Sequence, residues 1–93
     1  MTMFIVRVEL HNATEPHYQK LHSLMAAQGL VRYITSDTGN RVWLPPAEYY
    51  YNGPADAGTI RSTAKVCAAA VVPRFAILVA EATNIMWEGL QAA

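Results

Sequence analysis

The residues predict an α+β fold, and three observations carry that prediction. From Met3 to Leu10 the chain alternates with period 2, and Phe4, Val6, Val8 and Leu10 make one wholly apolar face. A helix signal follows at once, and after it come two β-rich stretches around a dense turn. An alanine-rich helical stripe and a last apolar strand complete the order strand, helix, strand, strand, helix, strand. The 93 residues are expected to form a single domain, 1–93.

Each element has its own signal. The first strand is so apolar that it belongs at the centre of a sheet, with Met3, Ile5, Arg7 and Glu9 on its other face. Thr14 is a credible N-cap, with Glu15 on the favourable side of the helix dipole and Pro16 tolerated in the first turn. Tyr18, Leu21, Leu24, Met25 and Gln28 then recur at helical spacing over about four turns, and Gly29 closes the helix. Leu30–Thr35 reads as a strand, Ser36–Asn40 as a turn, and Arg41–Leu44 as the returning strand of a hairpin. Pro45 and Pro46 interrupt that strand, because neither can donate to a ladder; Ala47–Tyr51 resumes it, and Asn52-Gly53-Pro54 ends it. The second helix begins near Asp56 and carries Ile60, Ala64, Cys67, Ala68 and Val71 on one stripe, with a weak first turn at Gly58. Pro73 ends it, and Arg74–Glu81 is the last long strand. Residues 82–93 fit either a short terminal helix or an edge strand folding back.

With right-handed crossovers, the order βαββαβ gives a ferredoxin-like sandwich: one four-stranded antiparallel sheet, both helices on one face, strands one and three central. The other sheet face is then left bare.

Composition narrows the function classes. Hydrophobic residues make up 53% of the chain and charged ones only 15%, so part of the surface is apolar and a homodimer is expected. Seven basic and seven acidic residues cancel, which argues against nucleic-acid binding through bulk charge but leaves room for a local basic stripe. Cys67, the sole cysteine, can form neither an internal disulfide nor a cysteine-based zinc site, and this suits a reducing cytoplasm. Arg7 and Glu9 interrupt the first apolar run too early for a signal peptide, and no run approaches the roughly 20 apolar residues of a membrane helix.

The bare face carries Arg7 and Glu9 from strand one, Arg32 or Tyr33 from strand two, and Arg41 with Trp43 or the tyrosines from strand three. Arginines among aromatics can hold phosphates and stack bases, and the same face can instead form a dimer contact, which zero net charge favours. Strand one lacks the stacking aromatics of an RNA-recognition motif. His17 and His22 stand five residues apart, about 140° around a helix, and are no ligand pair. No HExxH, carboxylate cluster, CxxC or glycine-rich phosphate loop occurs, so neither a metal nor a cofactor is expected. His22, beside the apolar stripe, suits either a general acid–base role or an ordinary boundary position.

The helix segment Leu21-His22-Ser23-Leu24-Met25, the turn Ser36-Asp37-Thr38-Gly39, and Leu44 followed by the aromatic stretch Glu48-Tyr49-Tyr50-Tyr51 resemble the GhoS-type antitoxins. Those are small ferredoxin-like endoribonucleases of type V toxin–antitoxin systems. The resemblance covers roughly the first two-thirds of the chain. His22 stands where that family's helix carries an arginine, and Tyr49 matches an aromatic position. The resemblance implies a cytoplasmic protein that cleaves or binds mRNA, with His22 and Arg32 catalytic and Arg7, Arg41 and Tyr49 holding RNA, Tyr49 by stacking a base. The alternative is a non-catalytic homodimer that uses the bare sheet face as its interaction surface.

Overall fold

A computed structural model describes all residues from 1 to 93. Strand β1 (Thr2–Leu10) lies between β4 (Glu48–Gly53) and β5 (Phe75–Ala82) in a three-stranded antiparallel sheet of order β4-β1-β5. The period-2 pattern decides its faces: Phe4, Val6, Val8 and Leu10 are buried, while Arg7 and Glu9 are exposed.

The helices form where the local chemistry directs them. Helix α1 (Glu15–Ala27) is capped by Thr14, whose backbone N–H donates to His17 Nδ1 at 2.9 Å, so a histidine supplies the acceptor that a capping-box glutamate usually provides. At its other end Gly29 adopts φ +83°, and Leu30 N–H reaches back to Met25 O while Gly29 N–H takes Ala26 O. This Schellman closure needs a left-handed residue, and it buries Leu30 against the core. Helix α2 (Ala57–Ala69) starts at Asp56, whose carboxylate accepts from Thr59 N–H at 2.8 Å. Leu21 and Met25 of α1 and Ile60, Ala64, Cys67 and Ala68 of α2 join the buried side of β1 in a single core cluster. Both helices therefore cover the same sheet face.

The expected single four-stranded sheet is not what forms. Strands β2 (Tyr33–Thr35) and β3 (Arg41–Trp43) make a separate two-stranded sheet. The second β segment touches the main sheet through one bridge, in which Val31 and Tyr50 exchange both backbone hydrogen bonds, at 3.0 and 2.7 Å. Beyond Val31 its hydrogen bonds turn to the hairpin partner, beginning with Leu44 N–H on Arg32 O at 2.8 Å. The physical reason lies in Pro45 and Pro46, which cannot extend a ladder, and in Ala47, which turns the chain at φ +64°. The interrupted third strand thus becomes two strands serving two sheets.

The tail resolves as a returning edge. Trp43 N–H donates to Gln91 O, Ala93 N–H to Arg41 O, and Val42 bridges Ala92. On its way there, Ile85 and Trp87 gather with Met3, Ile34 and Tyr50 around a cleft of about 340 Å³. The helix-free sheet face is therefore partly covered at its Met3 end and open around Arg7, Glu9 and the 64%-exposed Leu78.

Candidate functional site

Three elements converge at the seam between α1 and the hairpin. His22 follows the buried Leu21 on α1, at the margin of the apolar stripe. Tyr49 lies opposite Val6 in the ladder and, like Val6, turns to the helix side, where it is fully buried. Arg32 falls between the Val31 bridge and β2, at the point where the chain leaves the main sheet.

The side chains form a relay. Arg32 Nη1 donates to His22 Nε2 at 3.2 Å, and His22 Nδ1 lies 2.7 Å from the Tyr49 hydroxyl. A guanidinium can only donate, so Nε2 is the acceptor, and the proton of the neutral imidazole sits on Nδ1, where it donates to the Tyr49 oxygen. Burial, and then the positive charge of Arg32, hold His22 below its ordinary value, with Glu15 opposing. Burial likewise holds the Tyr49 phenol well above its usual value, so it stays protonated. The arrangement is a neutral histidine between a cation and a phenol.

Arg32 is the unusual member. It is half-buried, its Nε–H is buried without an acceptor, and its Nη2 reaches only Leu44 O at 3.5 Å. No carboxylate pairs with it, since the one salt bridge in the chain joins His11 to Glu9. Its guanidinium lines a cleft of about 420 Å³ together with Glu15, Tyr18, His22, Pro46 and Ala47. The cleft therefore carries a half-buried cation that has no carboxylate partner.

Of the five residues singled out from sequence, the structure joins His22, Arg32 and Tyr49 and leaves two apart. Arg7 emerges on the sheet face opposite the helices, so it cannot share a phosphate with Arg32. Arg41 sits on β3 with its guanidinium 4.4 Å from the centre of the Tyr33 ring, a cation–π contact within the hairpin. Tyr49 as a base-stacking platform needs correction: its ring is 0% exposed and offers no face to a base, leaving the hydroxyl as its polar contribution.

Sequence reasoning overlooked Glu15, Tyr18, Pro46 and Ala47 as cleft walls. Tyr18 read only as part of the apolar stripe, yet its hydroxyl accepts from Leu10 N–H at 3.1 Å and its ring lies 6.4 Å from His22. The available signal was spacing, because Tyr18 and His22 are one helical turn apart and Glu15 one turn earlier.

No group of three or more His, Cys, Asp or Glu is placed to hold a metal ion, and no helix is long and apolar enough to cross a membrane. Cys67 is buried in the core, where burial pushes its thiol up, away from nucleophile chemistry. Compared with protein-family models and with curated proteins, the chain matches none.

Proposed function

We propose that this protein is a cytoplasmic, ferredoxin-like RNA-acting protein, similar to the GhoS-type antitoxins, that binds the RNA backbone at Arg32 and cleaves it with His22. The fold part of this reading treats the hairpin as an elaboration. The Val31 segment, β4, β1 and β5 then follow the spatial order of a split β-α-β sandwich, with its outermost strand held by one bridge.

The observation that carries the functional part is the unpaired, half-buried Arg32 guanidinium bonded to a neutral histidine at a cleft. A phosphodiester entering there would compete for the Nη1 hydrogens and draw Nη1 away from His22. His22 Nε2 then has a lone pair free to accept the proton of a ribose 2′-hydroxyl. The 2′-oxygen attacks phosphorus, the bond to the 5′-oxygen breaks, and that oxygen takes a proton from His22 or water, giving a 2′,3′-cyclic phosphate and a 5′-hydroxyl. The Nδ1–H bond to Tyr49 would fix the ring for this task. An anion beside His22 also offsets the positive charge of Arg32, so substrate would make the histidine a better base than it is in the free protein.

The test is incubation with a mixed RNA pool in EDTA, with analysis of the product ends. Cleavage leaving cyclic phosphates is expected, and His22→Ala should slow it roughly 10- to 1000-fold. Arg32→Ala should weaken RNA retention and flatten its salt dependence. A wild-type protein that neither cleaves RNA nor retains it at low salt would end this reading, while activity lost in EDTA and restored by magnesium would discard the role of His22.

A further inference from the structure

We infer that β5 is a self-association edge: two copies of this chain pair their β5 strands antiparallel about a twofold axis at Leu78, fusing two three-stranded sheets into one. This inference does not depend on the RNA reading, since β5 lies at the sheet edge opposite the hairpin.

The register shows which backbone groups the edge offers. Val8 N–H is committed to Ala47 O on the β4 side, so the even-numbered residues of β1 point to β4 and the odd-numbered ones to β5. The residues facing Met3, Ile5, Arg7 and Glu9 are Ala82, Ala80, Leu78 and Ala76, which turn inward to meet them. Phe75, Ile77, Val79 and Glu81 therefore turn their N–H and C=O groups outward, and no other backbone hydrogen bond reaches them. Isolated edges are usually blunted by lysine, proline, a bulge or a covering segment. Residues 75–82 contain no lysine or proline, pair one-to-one with β1 without a bulge, and are left uncovered by the tail, which ends against β3.

An axis at Leu78 is the register that pairs every outward group, setting Ile77 opposite Val79 of the second copy and Phe75 opposite its Glu81. Charge agrees with this choice. Phe75 and Ile77 share a cleft with Arg61, Ser62 and Lys65 of α2, and Glu81 lies on the same sheet face at the far end of the strand. None of Arg61, Lys65 and Glu81 has an ion-pair partner within its own chain. Antiparallel pairing brings each Glu81 beside the basic pair of the other copy. Stacking of the open sheet faces would not, because Glu81 stands on the helix side.

Light scattering on the full chain at about 100 μM tests this, with twice the 10.3 kDa chain mass expected. Leu78→Lys sets two ammonium groups at the closest cross-strand spacing and should raise the dimer dissociation constant about tenfold or more. Leu78 is 64% exposed, so the variant should keep the wild-type circular dichroism. Glu81→Lys should also weaken the dimer, and adding Arg61→Glu with Lys65→Glu in the same chain should restore it. A wild-type chain that stays monomeric, a dimer that survives Leu78→Lys, or one indifferent to Glu81→Lys would each overturn the proposal.

Discussion

The two helices are each thirteen residues long and rest on the same sheet face, yet they do different things there. Helix α2 buries Ile60, Ala64, Cys67 and Ala68, an apolar row whose small residues let the backbone approach the sheet closely. Helix α1 buries only Leu21 and Met25, and between them in sequence comes His22, bonded to Tyr49 and Arg32. One seam is apolar, and the other holds a histidine, a phenol and a guanidinium lacking a carboxylate. Such a cation costs stability unless something offsets it. The α2 seam contributes stability with no such demand.

The largest effect belongs to the residue shared by both descriptions. Tyr49 is first by volume among the fully buried side chains, and its hydroxyl ends the relay. Tyr49→Ala should cost about 3–5 kcal/mol in urea unfolding, because it opens a ring-sized hole beneath α1. Tyr49→Phe keeps the ring and should cost only about 1–3 kcal/mol, for the His22 donor left unpaired. If phenylalanine proved as damaging as alanine, the ring would not be the packing unit, and the division into a packed seam and a polar seam would fail.

A smaller contrast runs across β1. Val6 and Val8 are both 0% exposed beneath the helices, so Val6→Ala and Val8→Ala should each cost about 1–3 kcal/mol. Arg7, between them, is exposed on the other face and makes no ion pair, so Arg7→Ala should stay within about 0.5 kcal/mol. Denaturant midpoints for the three variants check this, and an Arg7→Ala variant more damaging than either valine substitution would reverse the face assignment of the central strand.

Local chemistry was legible in the sequence wherever a single segment decides the outcome. Period-2 alternation placed Phe4 to Leu10 in the core, Gly29 marked the left-handed helix end, and Asp56 marked the start of α2. Strand partnership was not legible, because it depends on whether segment 30–35 bonds more to β4 or to β3. Pro45 and Pro46 signalled a break but not that the break would hand Arg32 to the hairpin. The site was half legible for the same reason. His22 and Arg32 stood out by residue type, and period-2 alternation already set Arg7 on the face opposite the core, while the inward parity of Tyr49 follows from the β1–β4 register, which no local pattern encodes.

The smallest expected effect is also the most specific to the α1 seam. His22 titrates near 6.5 when unfolded and lower in the native protein, through burial first and Arg32 second. Between those two values the unfolded chain binds more protons, so native stability rises with pH there. The contribution is fully present above about pH 6.5 and is lost as pH falls through the native value. His22→Gln removes this titration. Wild type should therefore lose stability faster than His22→Gln between about pH 7 and about pH 5, read as the difference in denaturant midpoint. The acid limb of a kcat/KM profile for cleavage, which reports the free protein, should likewise fall below about pH 6.5, because the depressed value keeps the base neutral in more acidic solution. A wild type that instead gained stability over His22→Gln on acidification would mean that Glu15 outweighs burial and Arg32. His22 would then be an imidazolium, Nε2 would carry a proton facing Arg32, and the relay as drawn could not exist.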